Sequence, residues 1–149
     1  MEREIYRILD AAANRGREAL RVVEDATRFL ADSHALAQRI KDARHRFASV
    51  ADRLDRRARL AARDTPGDVG TAVEADGEYR RNSLESVFVA NFARLQESLR
   101  SLEEFSKVVE PSLARDWERL RYESYALEKD VFAAFFDQIG NQEGASRPQ

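Results

Sequence analysis

The chain has 149 residues, a length that suits one domain and excludes a nucleotide-binding domain with a separate substrate domain. Hydrophobic residues make up 43% and charged residues 35%, with only 6 Gly and 3 Pro, which excludes a disordered chain and a turn-rich β-sandwich. The 25 basic and 27 acidic residues give a net charge of −2, so the strongly basic balance of proteins that coat nucleic acid is absent. We therefore expect one all-α domain without a nucleic-acid partner.

The cysteine count and the first residues bear on the cellular compartment. Without cysteine, a disulfide framework and a thiolate metal site are excluded, which fits a reducing cytoplasm. The opening MEREIYRILD is charged where a secretion signal is apolar, and the chain has no run of about 18 apolar residues to cross a bilayer. We predict a cytoplasmic protein without a membrane partner.

Helical periodicity divides the chain into four predicted helices, at 3–30, 34–62, 84–109 and 111–139. Ser33 and Ser83 are the predicted N-caps of the second and third helices, and Pro111 suits the first turn of the fourth. Residues 140–149 are small and polar. We predict a single domain at 1–139, followed by a disordered tail or the start of a linker at 140–149.

The two halves of the chain resemble each other. A shift of 79 places lays an RxxExxRxxE pattern of the first helix, which begins at Arg15, on the same pattern at Arg94, and a shift of 77 lays Arg44 on Arg121. Each half would be a helical hairpin, and two similar hairpins joined by a long loop form a four-helix bundle. Chance similarity between two amphipathic helices is the alternative.

Polar residues fall on the predicted apolar face of the first and third helices. On a helical wheel Arg15 lies inside the apolar arc with Glu18 at its edge, and Asn91 and Arg94 repeat the anomaly with Glu97 at the edge. Buried charges must be paired or face a ligand. The wheel leaves two alternatives open: crossed ion pairs between these arginines and glutamates that fix the register, or the walls of a pocket for an anion.

Two further charged sets are predicted to face solvent. One consists of i,i+3 pairs on the opposite face, Arg21 with Glu24 and Arg100 with Glu103. A homodimer formed through that face is the alternative. The other is a basic run near the end of the second helix, Arg53, Arg56, Arg57, Arg59 and Arg63, which suits the C-terminal dipole.

A loop at 63–82, RDTPGDVGTAVEADGEYRRN, joins the second and third helices. It is rich in polar groups, and Gly67 and Gly70 permit close approach of a phosphate to the backbone. Because no GxxxxGK[ST] motif occurs, a plain ordered connection is the alternative.

A di-iron bundle is excluded, since neither histidine follows a Glu by three. A phosphotransfer role for the solvent-facing His45 is the weakest alternative.

Four segments resemble a known family: YRILDAAANRGREALRVVEDATRFL, ARHRF, LAARDTPGDVGTAVEADGEYRR and NFARLQESLRSLEEFSKVV. They are similar to the small helical hydroxymethylpyrimidine phosphate kinases, found alone or fused to the N-terminus of thiamine-phosphate synthase, over about residues 5–135. The resemblance implies transfer of the ATP γ-phosphoryl group, with Mg²⁺, to hydroxymethylpyrimidine phosphate. It also implies thiamine-phosphate synthase as a fused or associated partner. A noncatalytic docking or regulatory module of that synthase is the alternative.

The resemblance suggests roles for the polar residues. The expected catalytic residues are Arg15, Arg94 and Asp64. The expected substrate-binding residues are Asn14, Asn91, Arg63, Thr65, Gly67, Thr71 and Arg81. The expected metal-binding residues are Glu18, Glu97 and Asp68. No catalytic base is needed, because the attacking phosphate oxygen is already ionised near neutral pH.

Overall fold

The computed structural model describes residues 1–72 and 80–144, with side chains over 1–70 and 80–135. Five α-helices run through this part of the chain: α1 Glu2–Phe29, α2 His34–Ala51, α3 Arg56–Ala62, α4 Leu84–Val109 and α5 Ala114–Gly144. Short 3₁₀ helices cover Val69–Ala72 and Pro111–Leu113. The described residues contain no strand, so the all-α prediction is confirmed.

The predicted helix signals act at three helix starts. Ser33 Oγ accepts a hydrogen bond from the Leu36 N–H at 3.4 Å, and Ser83 forms a reciprocal capping box with Ser86. Pro111 opens the 3₁₀ turn that leads into α5. The last helix continues to residue 144, beyond its predicted end, and residues 145–149 lie outside the described part. The division of the chain into a domain and a tail stays a prediction.

The predicted second helix is two helices, which corrects the sequence-based boundary of 34–62. The break arises because Asp55 Oδ1 accepts hydrogen bonds from the N–H groups of Arg57 at 2.8 Å and Ala58 at 3.1 Å, which caps a new helix. The change of direction shifts the apolar stripe. As a result Arg59 is buried, whereas Ala61, which an uninterrupted helix would place on the same face as Leu54 and Ala58, is exposed.

The four long helices pack in a closed ring, in the order α1, α2, α5, α4, and α3 packs against α1. Ion pairs show that α2 and α5 are antiparallel, since Arg39 meets Asp130 and Arg53 meets Asp116. Short connections make α1 antiparallel to α2 and α4 antiparallel to α5. It follows that α1 and α4, which close the ring, are antiparallel as well. Large side chains fill the centre, among them Leu9, Ile40, Phe47, Leu99 and Trp117.

This arrangement places the two ends of the long connection far apart. Arg63, at the end of α3, contacts Asp10 in the N-terminal half of α1. Because α4 is antiparallel to α1, Ser83 and the start of α4 lie at the level of the C-terminal end of α1. At 1.5 Å per helical residue, the connection between Arg63 and Ser83 spans about 30 Å.

Candidate functional site

The cluster predicted to point into the bundle lies on the surface. Arg15, Glu18, Arg94 and Glu97 are all exposed, and the described residues show no ion pair that joins these arginines to these glutamates. The inward placement is therefore wrong, and so is the crossed ion-pair network that depended on it. What these four side chains do in binding or catalysis stays a prediction.

The error has a physical cause. Exposed apolar side chains, Ile8 and Val22 among them, drew the calculated apolar arc of α1 toward solvent. The observed buried face of this helix runs through Gly16 and Thr27, which hydrophobicity alone does not mark. The buried face of α1 is therefore rotated relative to the predicted apolar arc, and Arg15 lies outside it.

The glutamates predicted to face solvent are buried. Glu24 is 7% exposed and accepts a hydrogen bond from Arg44 Nε at 2.6 Å; Glu103 is 4% exposed and accepts one from Arg121 Nε at 2.9 Å. Each also meets the exposed arginine three residues before it. Hydrogen bonding to Tyr125 and to Glu103 raises the pKa of Arg121. These are matched positions of the internal repeat, so both hairpins are held by the same buried ion pair.

A polar cleft of about 340 Å³ lies where α3 and the residues after α2 cover the N-terminal half of α1. Its walls are Asp10, Asn14, Arg17, Asp52, Arg56, Arg59, Leu60 and Arg63. Four arginines against two aspartates leave two net positive charges among the lining residues. Such a surface favours an anion, and guanidinium groups match phosphate oxygens in geometry.

A two-contact ion pair holds one wall of the cleft in place. Asp10 is 5% exposed, and its two carboxylate oxygens accept hydrogen bonds from Arg63 Nε at 2.7 Å and Nη2 at 3.0 Å. This hydrogen bonding raises the pKa of Arg63. Asp64, the next residue, is also bound to α1, because Arg7 Nη2 donates a hydrogen bond to its carbonyl at 3.0 Å. The end of α3 and the start of the long loop are thus anchored to α1.

Arg59 is the buried cation of the cleft, at 5% exposure. Its Nη2 donates to the Ala51 carbonyl at 3.2 Å, while its Nε has no hydrogen-bond partner. Burial lowers the pKa of Arg59, and the nearby Asp10 charge opposes that shift. A buried N–H without an acceptor is costly, and Arg59 is thus a cation of the cleft wall that the described residues leave incompletely paired.

The loop that leaves the cleft is shaped by its own aspartates. Asp64 Oδ1 accepts a hydrogen bond from the Gly67 N–H at 3.0 Å, and Asp68 Oδ1 accepts one from the Gly70 N–H at 2.9 Å. A Cβ on Gly67 would meet the Asp64 carboxylate, so that side chain would have to move to accommodate any other residue there. Thr65 is exposed on the same turn and accepts from the Asp68 N–H through its carbonyl at 3.3 Å.

The predicted substrate-binding residues are only partly brought together. Asn14 and Arg63 share the cleft, and Thr65 and Gly67 lie two and four positions after Arg63 in the chain. The side chain of Thr71 lies outside the described residues.

Two other predicted residues lie on α4 or just before it, away from the cleft. Asn91 donates through Nδ2 to the Val87 carbonyl at 2.8 Å, and Arg81 donates to the Arg80 carbonyl at 3.2 Å.

Among the described residues, no three or more His, Asp or Glu side chains are grouped so as to hold a metal ion. The predicted metal set of Glu18, Glu97 and Asp68 is therefore not assembled into a protein-only site. A carboxylate and phosphate oxygens together remain a suitable ligand set for Mg²⁺.

Sequence reasoning missed the residues Asp10, Arg17, Asp52 and Arg59. The internal repeat carried a signal for the first two. At a shift of 79, the cleft residues Asp10, Asn14 and Arg17 correspond to Val89, Ala93 and Gln96. The face of α1 that α3 covers is thus more polar than the matched face of α4. This difference between the hairpins indicates a site on α1.

The family model and the relatives that match this chain agree with each other. A profile described as the ThiD2 family matches residues 7–130. "Thiamine-phosphate synthase" of Rhodopirellula baltica is 41% identical over 129 residues, which cover 87% of this chain and 34% of the relative. The proteins of the same name from Nostoc punctiforme and Gloeobacter violaceus are 41% and 44% identical over 88% and 85% of this chain, each over 36% of the relative. The chain thus spans about a third of the length of these relatives.

No solved structure matches this chain. In the part of the chain that the structure describes, every helix is too short or too polar to cross a membrane.

Proposed function

The chain belongs to the ThiD2 family, and from that premise we propose that it transfers the γ-phosphoryl group of ATP to hydroxymethylpyrimidine phosphate in thiamine biosynthesis. The product is the pyrimidine diphosphate. The proposal is supported by the arginine-lined cleft between α1 and α3, in which the Nε of the buried Arg59 guanidinium lacks a hydrogen-bond acceptor.

The chemistry requires electrostatics rather than a strong base. An oxygen of the acceptor phosphate attacks the γ-phosphorus, the bond from that phosphorus to the β,γ-bridging oxygen breaks, and ADP leaves with the electron pair. The second pKa of a phosphate monoester is about 6, so the attacking oxygen is mostly ionised at neutral pH. Catalysis then depends on bringing two polyanions together and neutralising the charge that develops between them.

The cleft residues suit these tasks. Arg59 and Arg17 would bind phosphate oxygens, and Arg63, held by Asp10, would present its remaining N–H donors from a fixed position. Asn14 lies beside them and offers an amide to the pyrimidine edge. The predicted contributions of Asp64, Thr65, Gly67 and Thr71 fit a loop anchored at the same wall.

Mg²⁺ enters this proposal as part of the ATP substrate. Magnesium commonly binds through phosphates, waters and one or two carboxylates, so a protein-only cage is unnecessary. Asp52 is the exposed carboxylate that lines the cleft. We assign it the contact with the hydrated metal; the assignments of Glu18, Glu97 and Asp68 remain alternatives.

The scaffold we propose is the four-helix bundle of two hairpins that the sequence predicts, and the closed ring of α1, α2, α5 and α4 supports it. We further propose that the protein acts in the cytoplasm, alone or joined to a thiamine-phosphate synthase. The length of the relatives that bear that name supports the second possibility.

A noncatalytic module that docks on a thiamine-phosphate synthase is the second candidate, favoured by the same length difference. That candidate requires Arg15 and Arg94 to be satisfied by Glu97 and Glu18 with no cavity present. The exposed arginines and the polar cleft oppose it.

The test is incubation of purified protein with ATP, Mg²⁺ and hydroxymethylpyrimidine phosphate, with separation of the products by ion-exchange chromatography. We expect equal amounts of ADP and the pyrimidine diphosphate. A protein with a helical circular-dichroism spectrum that forms no diphosphate would refute the kinase proposal and leave the docking module.

A further inference from the structure

A second cavity, of about 510 Å³, lies at the turn between α1 and α2. It is lined by Arg21, Glu24, Arg28, Asp32, Ser33, His34, Ala37, Gln38, Lys41 and Arg44. The buried Glu24 is 14 positions beyond Asp10 on α1, which is about 20 Å along the helix axis. This cavity is therefore separate from the cleft at α3.

The residues that line this cavity do not balance one another in charge. Four cationic side chains and two carboxylates line it, which leaves two net positive charges. Glu24 already contacts Arg44 and Arg21. Arg28 and Lys41 form no ion pair with any described residue.

The other hairpin differs at the two positions that hold these cations. At the shifts of the repeat, Arg28 corresponds to Lys107, which pairs with Glu104 at 2.8 Å. Lys41 corresponds to Glu118, a change from a cation to an anion. Cations without an ion pair at these two positions are therefore a feature of the first hairpin among the described residues.

We propose that this cavity binds the phosphate or diphosphate group of a small soluble molecule, at a site distinct from the cleft. Arg28 and Lys41 supply the charge, and the Arg44 guanidinium, oriented by Glu24, supplies directed donors. The inference does not depend on the kinase proposal.

The two histidines of the chain allow a direct test. His34 lines the cavity, whereas His45 is exposed on α2 and does not line it. Inorganic pyrophosphate is titrated into the full chain at constant pH and ionic strength, while the imidazole proton signals of both residues are followed by NMR. We expect a saturable shift of the His34 signals and none of the His45 signals.

Variants with equal charge changes separate a site from a general field. Lys41→Glu should weaken pyrophosphate binding, measured from the His34 shift, by about tenfold, since it replaces an attractive charge in the cavity by a repulsive one. Lys129→Glu makes the same charge change outside the cavity and should leave the affinity for pyrophosphate unchanged. Circular dichroism checks that both variants fold.

Three results would overturn the proposal: no saturation of the His34 shift, parallel shifts of both histidines, or equal weakening by the two lysine variants. Because the titration measures binding of pyrophosphate alone, a protein without kinase activity would still give the His34 shift if the cavity binds phosphate groups.

Discussion

The two hairpins share a framework and differ in what is built on it. Glu24 with Arg44 and Glu103 with Arg121 are buried ion pairs at matched positions. In the part of the chain that the structure describes, only the first hairpin is followed by an extra helix, α3, and α5 has no break. The polar cleft is made by that extra helix and by the side of α1 that it covers. The comparison indicates that the ion pairs maintain the bundle, and the site that we propose lies in the part that departs from the symmetry.

Side-chain sizes also alternate between the halves. Gly16 lies under the Phe47 ring, and the matched positions hold Leu95 and Ser124. The first half thus combines a small residue on α1 with a large one on α2, and the sizes are reversed at the matched positions of the second half.

The largest expected stability effect comes from the shared ion pair. Glu103→Ala removes the partner of Arg121, and we expect the free energy of unfolding to fall by about 3 kcal/mol, because a nearly buried guanidinium is left without its carboxylate. Glu24→Ala should cost less, since Glu103 also meets Arg100 and Lys107. Urea unfolding followed by circular dichroism compares them. Equal losses in the two variants would contradict the larger contribution that we expect of Glu103.

Arg59→Met tests whether the asymmetric part carries the activity. We expect the rate of diphosphate formation to drop about 100-fold, as when one preorganised donor to a developing charge is lost. Stability should be kept or raised, because a buried cation with an unpaired N–H is removed. Arg57→Met, an exposed change on the same helix, is the matched control and should keep its activity. Similar rates for both variants would refute the placement of the site.

Gly16→Ala tests the exchange of large and small residues. The added methyl would lie 2.7 Å from the Phe47 ring, and we expect a destabilisation of about 1–2 kcal/mol after the gain in helix propensity. Phe47→Leu in the same chain should reduce the additional cost of the methyl group, which a double-mutant cycle of unfolding free energies measures. Additive costs would show that the ring adjusts on its own.

The smallest stability effect is expected at the exposed repeat. Arg94→Met should change the free energy of unfolding by less than about 0.5 kcal/mol, because the side chain is exposed. Its kinase rate, measured beside that of Arg59→Met, tests the predicted catalytic role. A loss as large as that of Arg59→Met would extend the site beyond the cleft.

The sequence predicts the helices well because its signals are local. Ser33, Ser83 and Pro111 act within one turn of the helix that each begins. The break at Asp55 is hidden in the sequence because apolar residues continue at helical spacing across it, and only the cap reveals the new start.

The site is harder to predict because it depends on contacts between distant segments. Asn14 and Arg63 are identified by the resemblance to a family, and the structure brings them to one cleft. Asp10 and Arg59 each lie on a face that a single-helix wheel assigns to solvent. They are buried only because α3 folds back on α1, which periodicity within one helix does not encode.

The position of the cleft within the chain has a consequence for folding. All of its lining residues lie between positions 10 and 63, so contacts within one continuous stretch assemble it. The packing of α1 on α4, by contrast, brings Gly16 near Ser98 and requires the long crossover to close first. Since contacts close in sequence form fastest, we expect the cleft to appear early in refolding, before the two hairpins dock in the slower step.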